Sequence, residues 1–113
     1  MKPSKLVGAG LMMVGASVLG MLPASAQTEI TLTVENNRFQ PDEIRVKAST
    51  PFVLVITNKD KGPEEFESPD LRIEKVIPAG KTVRLRMPAL KPGTYGFVGE
   101  YHAQTAKGRI VAE

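Results

Sequence analysis

The sequence predicts an all-β protein: a Greek-key β-sandwich of seven to eight strands. Three observations predict it. Apolar residues alternate with polar ones over short runs. Turn-forming residues recur every eight to twelve positions. No stretch after residue 26 carries a 3.6-residue apolar period. The 113 residues allow one domain.

Residues 1–26 stand apart from that domain. Lys2 and Lys5 precede an uncharged run from Leu6 to Leu22, and Pro23 leads into Ala24-Ser25-Ala26. A basic start, an apolar middle and an A-x-A end make a secretory signal peptide. The alternative, an uncleaved membrane anchor, has to span with a run that is rich in glycine and barely long enough. With no cysteine after the apolar run, a lipid anchor is excluded. The expectation is export to the periplasm, cleavage before Gln27, no membrane span afterwards, and a domain over 27–113.

In that domain "EITLTV", 29–34, sets Ile30, Leu32 and Val34 against polar partners, the mark of a half-buried strand. Asn36-Asn37 and Pro41-Asp42 read as turns, with Phe39 pointing inward between them and Ile44 and Val46 resuming the alternation. "PFVLVITN", 51–58, is an almost unbroken β-branched and aromatic run, predicting a central strand covered on both sides. A short strand ends at Ile77, and a turn follows at Pro78-Ala79-Gly80. Val83, Leu85 and Met87 then share a face, with Met87 a core residue more than a ligand. Pro92-Gly93 turns the chain into a strand whose Tyr95 and Phe97 are core residues, and "KGRIVAE" closes the sheet.

Composition removes several function classes. With no cysteine, disulfides, thiolate metal sites and thiol nucleophiles are excluded. One histidine excludes a multi-histidine zinc site within one chain. Without Lys2 and Lys5, 13 of the 15 basic residues remain against 12 acidic ones. That balance, with no basic stripe interleaved with aromatics, points away from nucleic acid.

Two segments can carry chemistry. Residues 60–75 hold Asp60, Glu64, Glu65, Glu67, Asp70 and Glu74, six of the domain's twelve acids. They form either a solvated loop with local ion pairs or a set of hard oxygen ligands for a cation. In extended backbone Glu65 and Glu67 share one face, while Glu64 shares the other with Phe66. The second segment is "GFVGEYHAQTAKGRI", 96–110, with the sole histidine, His102. Extended backbone would put Glu100 and His102 on one side, a carboxylate and an imidazole forming part of a metal site. The alternative is a loop histidine hydrogen-bonded to a neighbour. Around His102 no nucleophile–base pair can be assembled, which argues against a hydrolase.

The end of the chain resembles the cupredoxin signature Tyr-x-Phe-x-Cys-x-x-His, with a methionine about four residues on and a glycine before the closing strand. Tyr95, Phe97, His102 and Gly108 fit it; Gly99 stands at the cysteine and Ala106 at the methionine. Upstream, Asn58 fits the family asparagine, and Pro63-Glu64 replaces a Pro-His pair. One of four blue-copper ligand positions survives, so type 1 copper is not expected. Glutamates at or beside the lost ligands resemble the EfeO-type cupredoxin-like domain, whose E-[FW]-E segment matches Glu65-Phe66-Glu67 and whose middle matches "PAG" and "LKPGTY". The small cupredoxin-like component of bacterial ferrous-iron transport systems is similar as well. The resemblance spans roughly 29–113.

The resemblance implies a cupredoxin-like sandwich in which the loop after Asn58 and the loop holding His102 meet at one pole. Glu64, Glu65, Glu67, Glu100 and His102 are then the candidate metal ligands, for iron or for divalent copper. The implied role is an accessory of ferrous iron uptake, working with a periplasmic iron-binding protein and a membrane permease. Oxidation of iron would need a partner to accept the electron, since the sequence offers no second redox centre. The other reading is a metal-free interaction module that docks on a transport or metallochaperone partner.

Overall fold

The computed structural model describes residues 27–113. The expected signal peptide lies outside these residues. Nine strands follow one another: β1 (Glu29–Glu35), β2 (Arg38–Gln40), β3 (Glu43–Val46), β4 (Phe52–Asn58), β5 (Glu64–Ser68), β6 (Ile73–Ile77), β7 (Thr82–Met87), β8 (Gly93–Gly99) and β9 (Lys107–Ala112). A 3-10 turn over Glu100–His102 separates β8 from β9. The strands form a four-stranded sheet, β2-β1-β4-β7, and a five-stranded sheet, β3-β9-β8-β5-β6. Both sheets are mixed: β1 runs parallel to β4 and β3 parallel to β9, while the other pairs are antiparallel. The two-sheet sandwich expected from the alternation is therefore present.

The ninth strand is β2, only three residues long, which a run of turn residues conceals in the sequence. Asn36 and Asn37 make its two-residue turn with φ of 56° and 58°. Two consecutive left-handed residues are what a twisted hairpin of this length requires, and asparagine tolerates that backbone better than most side chains.

The core lies between the sheets. Phe39 from β2, Phe66 from β5 and Phe97 from β8 form an aromatic cluster with ring centroids 5.0–6.0 Å apart. Edge-on and tilted rings of this spacing add to the area they bury. Leu32, Val34, Leu54, Ile56, Ile77 and Ile110 pack with them, each fully buried. Met87 is buried in this core, and Tyr95 packs half-buried against it while its hydroxyl donates to the Lys91 carbonyl.

Strand β4 departs from expectation. It lies centrally between β1 and β7, but Val55 and Thr57 on its outer face are only half-buried. Its continuous apolar run thus records a buried inner face and a partly covered outer one, with β-branched residues serving both.

Two loops are fixed by side chains against backbone. Asn58 is fully buried; its amide donates to the carbonyls of Gly62 and Ile77, and its Oδ1 accepts the Asp60 N–H. Asp60 in turn accepts the N–H groups of Asn36 and Asn37 at 2.7 and 2.9 Å. These bonds fasten the β4–β5 loop to the β1–β2 hairpin and set where β5 begins.

Candidate functional site

Strand β5 delivers the first functional residue. Its burial alternates, so Glu64, Phe66 and Ser68 face inward and Glu65 and Glu67 outward, as the two-residue period of a strand dictates. Glu64 is only 1% exposed. A carboxylate so placed requires donors to replace water. One oxygen accepts the N–H of Glu65 and of Tyr101, both at 2.9 Å, and the other lies 2.7 Å from His102 Nδ1.

His102 reaches Glu64 because the chain turns after β8. Gly99 is still extended, with φ −90° and ψ 107°, and the next three residues form the 3-10 turn. The N–H groups of Thr105 and Ala106 both donate to the His102 carbonyl, closing the turn. This corrects one expectation: Glu100 and His102 do not lie on a strand, so their spacing of two does not put them on one side.

The four positions at which a cupredoxin would hold copper do converge. The Gly99 N–H donates to the Ala106 carbonyl at 2.8 Å. A β-carbon on Gly99 would sit 2.6 Å from the Glu64 carboxyl carbon and 2.7 Å from the Ala106 methyl group. Glycine and alanine at these positions leave the room that the Glu64 carboxylate fills. A type 1 copper centre does not fit: its thiolate position has no side chain, its thioether position has a methyl group, and its second imidazole is replaced by a carboxyl group already bonded to two backbone N–H groups and the His102 ring.

The other candidates lie on the outer face. Glu67 opposes Glu74 across the β5–β6 ladder and pairs with Val98 on β8. Its carboxyl is pushed up to about 7, first by a hydrogen bond with Glu100, then by partial burial, and then by the charges of Glu100, Glu74 and Glu65. Like charges placed opposite one another in a ladder repel, and a shared proton relieves them. Glu65 opposes Val76 on the exposed edge strand β6. The five predicted residues thus divide into an inner pair, Glu64 and His102, and an outer pair, Glu67 and Glu100, with Glu65 flanking. Among the described residues no group of three or more acidic or histidine side chains is arranged to hold a metal ion.

The remaining acids of the segment have other work. Asp60 caps the hairpin turn, and Asp70 accepts the Gly96 N–H at 3.0 Å. Sequence reasoning missed both. Neither left a local signal, because each carboxylate meets backbone N–H groups more than twenty residues away.

Comparison with known proteins agrees with the geometry. A family model described as a cupredoxin-like domain matches residues 6–112. An uncharacterized protein of Rickettsia prowazekii (strain Madrid E) is 37% identical over 83 residues, which are 74% of this chain. The chain spans 66% of that relative, slightly under two thirds of its length. Among solved structures, auracyanin A, a blue copper protein of Chloroflexus aurantiacus, superposes with a TM-score of 0.66 at 14% identity, over 77% of this chain and 99% of its own. The metal-binding domain of a Cu(I)-exporting P-type ATPase of Streptococcus pneumoniae D39 gives 0.66 at 16% identity, over 75% of this chain and 84% of its own. At such identities the likeness concerns the fold. The sandwich, the converging pole and the family match together make this chain a member of the cupredoxin-like domain family.

Proposed function

We propose that this protein is a periplasmic accessory of iron uptake that binds iron, or divalent copper, through the outer carboxylates of Glu67 and Glu100. The single observation behind this reading is Glu67, which stands opposite Glu74 in the β5–β6 ladder and whose hold on its proton is raised to about 7, first by Glu100. A cation can replace that proton and relieve the same repulsion. Hard oxygen donors suit iron or Cu(II) better than Cu(I). The EfeO-type resemblance supplies the iron-uptake context, and with it a periplasmic iron-binding protein and a membrane permease as partners. A carboxylate site would favour Fe(III) over Fe(II), and an oxidation step would need a partner to take the electron.

Calorimetric titration with Cu(II) or Fe(III)-citrate tests this reading. Glu67→Gln and Glu100→Gln should each weaken binding at least tenfold relative to wild type. Equal weak binding by all three proteins would sink it.

A second reading has its own observation. The pole would then belong to a metal-free module that docks on a transport partner. Tyr101, 49% exposed at that pole, is the residue such a surface would present.

A further inference from the structure

The geometry points to a docking edge: strand β7 accepts an extended, acidic segment of a partner protein as a further strand of its sheet. The inference is independent of the metal-binding reading and concerns another part of the molecule.

Four strands lie at the margins of the two sheets, β2 and β7 in one and β3 and β6 in the other. A free edge exposes backbone donors and acceptors, and proteins guard it by shortening it or by pointing a charge inward from it. Strands β2 and β3 are three and four residues long. Strand β6 sets Lys75 opposite Phe66, on the face turned to the core. Strand β7 has neither guard. It is six residues long, and its core-side residues are Val83, Leu85 and Met87. Val83 and Leu85 are only half-buried, so apolar surface borders the edge.

The register identifies the free backbone groups. The Asn58 N–H donates to the Lys81 carbonyl, one step beyond the Thr57–Thr82 pair. Bonded and non-bonded pairs alternate along an antiparallel ladder. Val83, Leu85 and Met87 therefore bond to β4, while Thr82, Arg84 and Arg86 turn their N–H and C=O groups away from it. Two contacts agree. Val53, which stands opposite Arg86, donates its N–H to Thr28 on the β1 side. The Thr57 and Thr82 hydroxyls lie 2.8 Å apart, as side chains of a non-bonded pair do. Among the described residues no backbone hydrogen bond outside the ladders reaches Thr82, Arg84 or Arg86.

Charge selects the occupant. A strand bonded to Thr82, Arg84 and Arg86 sets its own side chains directly beside theirs on the outer face. Arg84 pairs with Glu29, whereas Arg86 makes no ion pair among the described residues. A second copy does not suit this edge. Paired with itself over most of its length, β7 would set Arg84 opposite Arg84 or Arg86, and like charges so placed destabilise. A segment with acids at alternate positions and apolar residues between them fits both rows. Its acids meet Arg84 and Arg86, and its apolar side chains extend over Val83 and Leu85. Main-chain bonds then supply affinity, and the alternating side chains supply specificity.

Amide hydrogen exchange on ¹⁵N-labelled protein tests this, with a synthetic peptide alternating glutamate and valine as the probe. In the free protein the amides of Thr82, Arg84 and Arg86 should exchange fast and those of Val83 and Leu85 slowly. The peptide at about 1 mM should protect the first three. The same peptide N-methylated at its glutamates keeps the charge but loses the donors, and should not bind. Arg86→Glu should weaken binding of the glutamate peptide at least about tenfold and favour a lysine–valine counterpart. Absence of protection at these three amides overturns the inference, as does protection confined to β6. So does equal binding by the N-methylated peptide, or by the lysine–valine peptide on wild type. Protection that appears without peptide and grows with protein concentration would mean that β7 pairs with a second copy, and the inference falls.

Discussion

A carboxyl group that is 1% exposed must find its hydrogen-bond partners within the protein, and Glu64 finds three: two backbone N–H groups and the His102 ring. Two are backbone N–H groups from different elements, β5 and the 3-10 turn, so this side chain joins the two halves of the pole. Glu64→Ala would leave both amides without a partner, at about 1–3 kcal/mol each, and would add a cavity beside Phe66. For a domain of this size each kcal/mol lowers Tm by about 4–8 °C. Thermal denaturation should therefore show Glu64→Ala melting well below wild type, while Glu65→Ala, whose side chain points to the outer face, melts close to it. Equal stability of the two variants would remove Glu64 from its structural role. Part of this was legible in the sequence: the two-residue period places Glu64 with Phe66 and apart from its neighbours. The 3-10 turn was not. A turn that follows a glycine leaves no periodic trace, and the bonds that close it are backbone bonds.

Among the elements, β8 and β9 pack closely at Gly108. Phe97 pairs with Gly108, and a β-carbon there would lie 2.5 Å from the Phe97 ring and 2.8 Å from the Asp42 carbonyl oxygen. The ring thus lies over bare backbone, and its other side meets Phe39 and Phe66. Gly108→Ala should destabilise the protein by about 1–3 kcal/mol, the usual cost of overpacking a close-packed core, because the Asp42 carbonyl belongs to the backbone and cannot yield cheaply. Chemical denaturation that finds this variant within about 0.5 kcal/mol of wild type would contradict the packing. Strands such as β1, β3 and β7 were legible because one face of each is buried, which writes their alternation into the sequence. β2 was hidden by its own shortness. Asp60 and Asp70 were hidden because a carboxylate paired with a distant backbone amide needs no particular residue at the other end.

For the molecule as a whole, charge sets two opposed pH dependences. Hydrogen bonds from Arg84 to Glu29 and from Arg109 to Glu43 hold those carboxyls below their usual range. Both pairs are exposed, so each contributes little. Their contribution is present above the ordinary carboxylate pKa of about 4.3 and is lost as the pH falls through the lowered folded values. Glu67 behaves in the opposite sense. Its folded value, about 7, lies above the unfolded one, so the folded state binds the proton more tightly. Stability from this group is fully present below about pH 4.3 and is lost as the pH rises through 7. Tm measured from pH 4 to 8.5 should therefore pass through a maximum between those limits and decline towards alkaline pH. Glu67→Gln, which keeps a donor towards Glu100 without the charge, should match wild type near pH 4 and melt above it at pH 8. A metal ion held by Glu67 and Glu100 would take the place of the proton, so Cu(II) at pH 8 should raise the wild-type Tm towards that of the variant and leave the variant itself unmoved. Parallel Tm curves for the two proteins across the whole range would mean that the outer carboxylates neither share a proton nor await a cation.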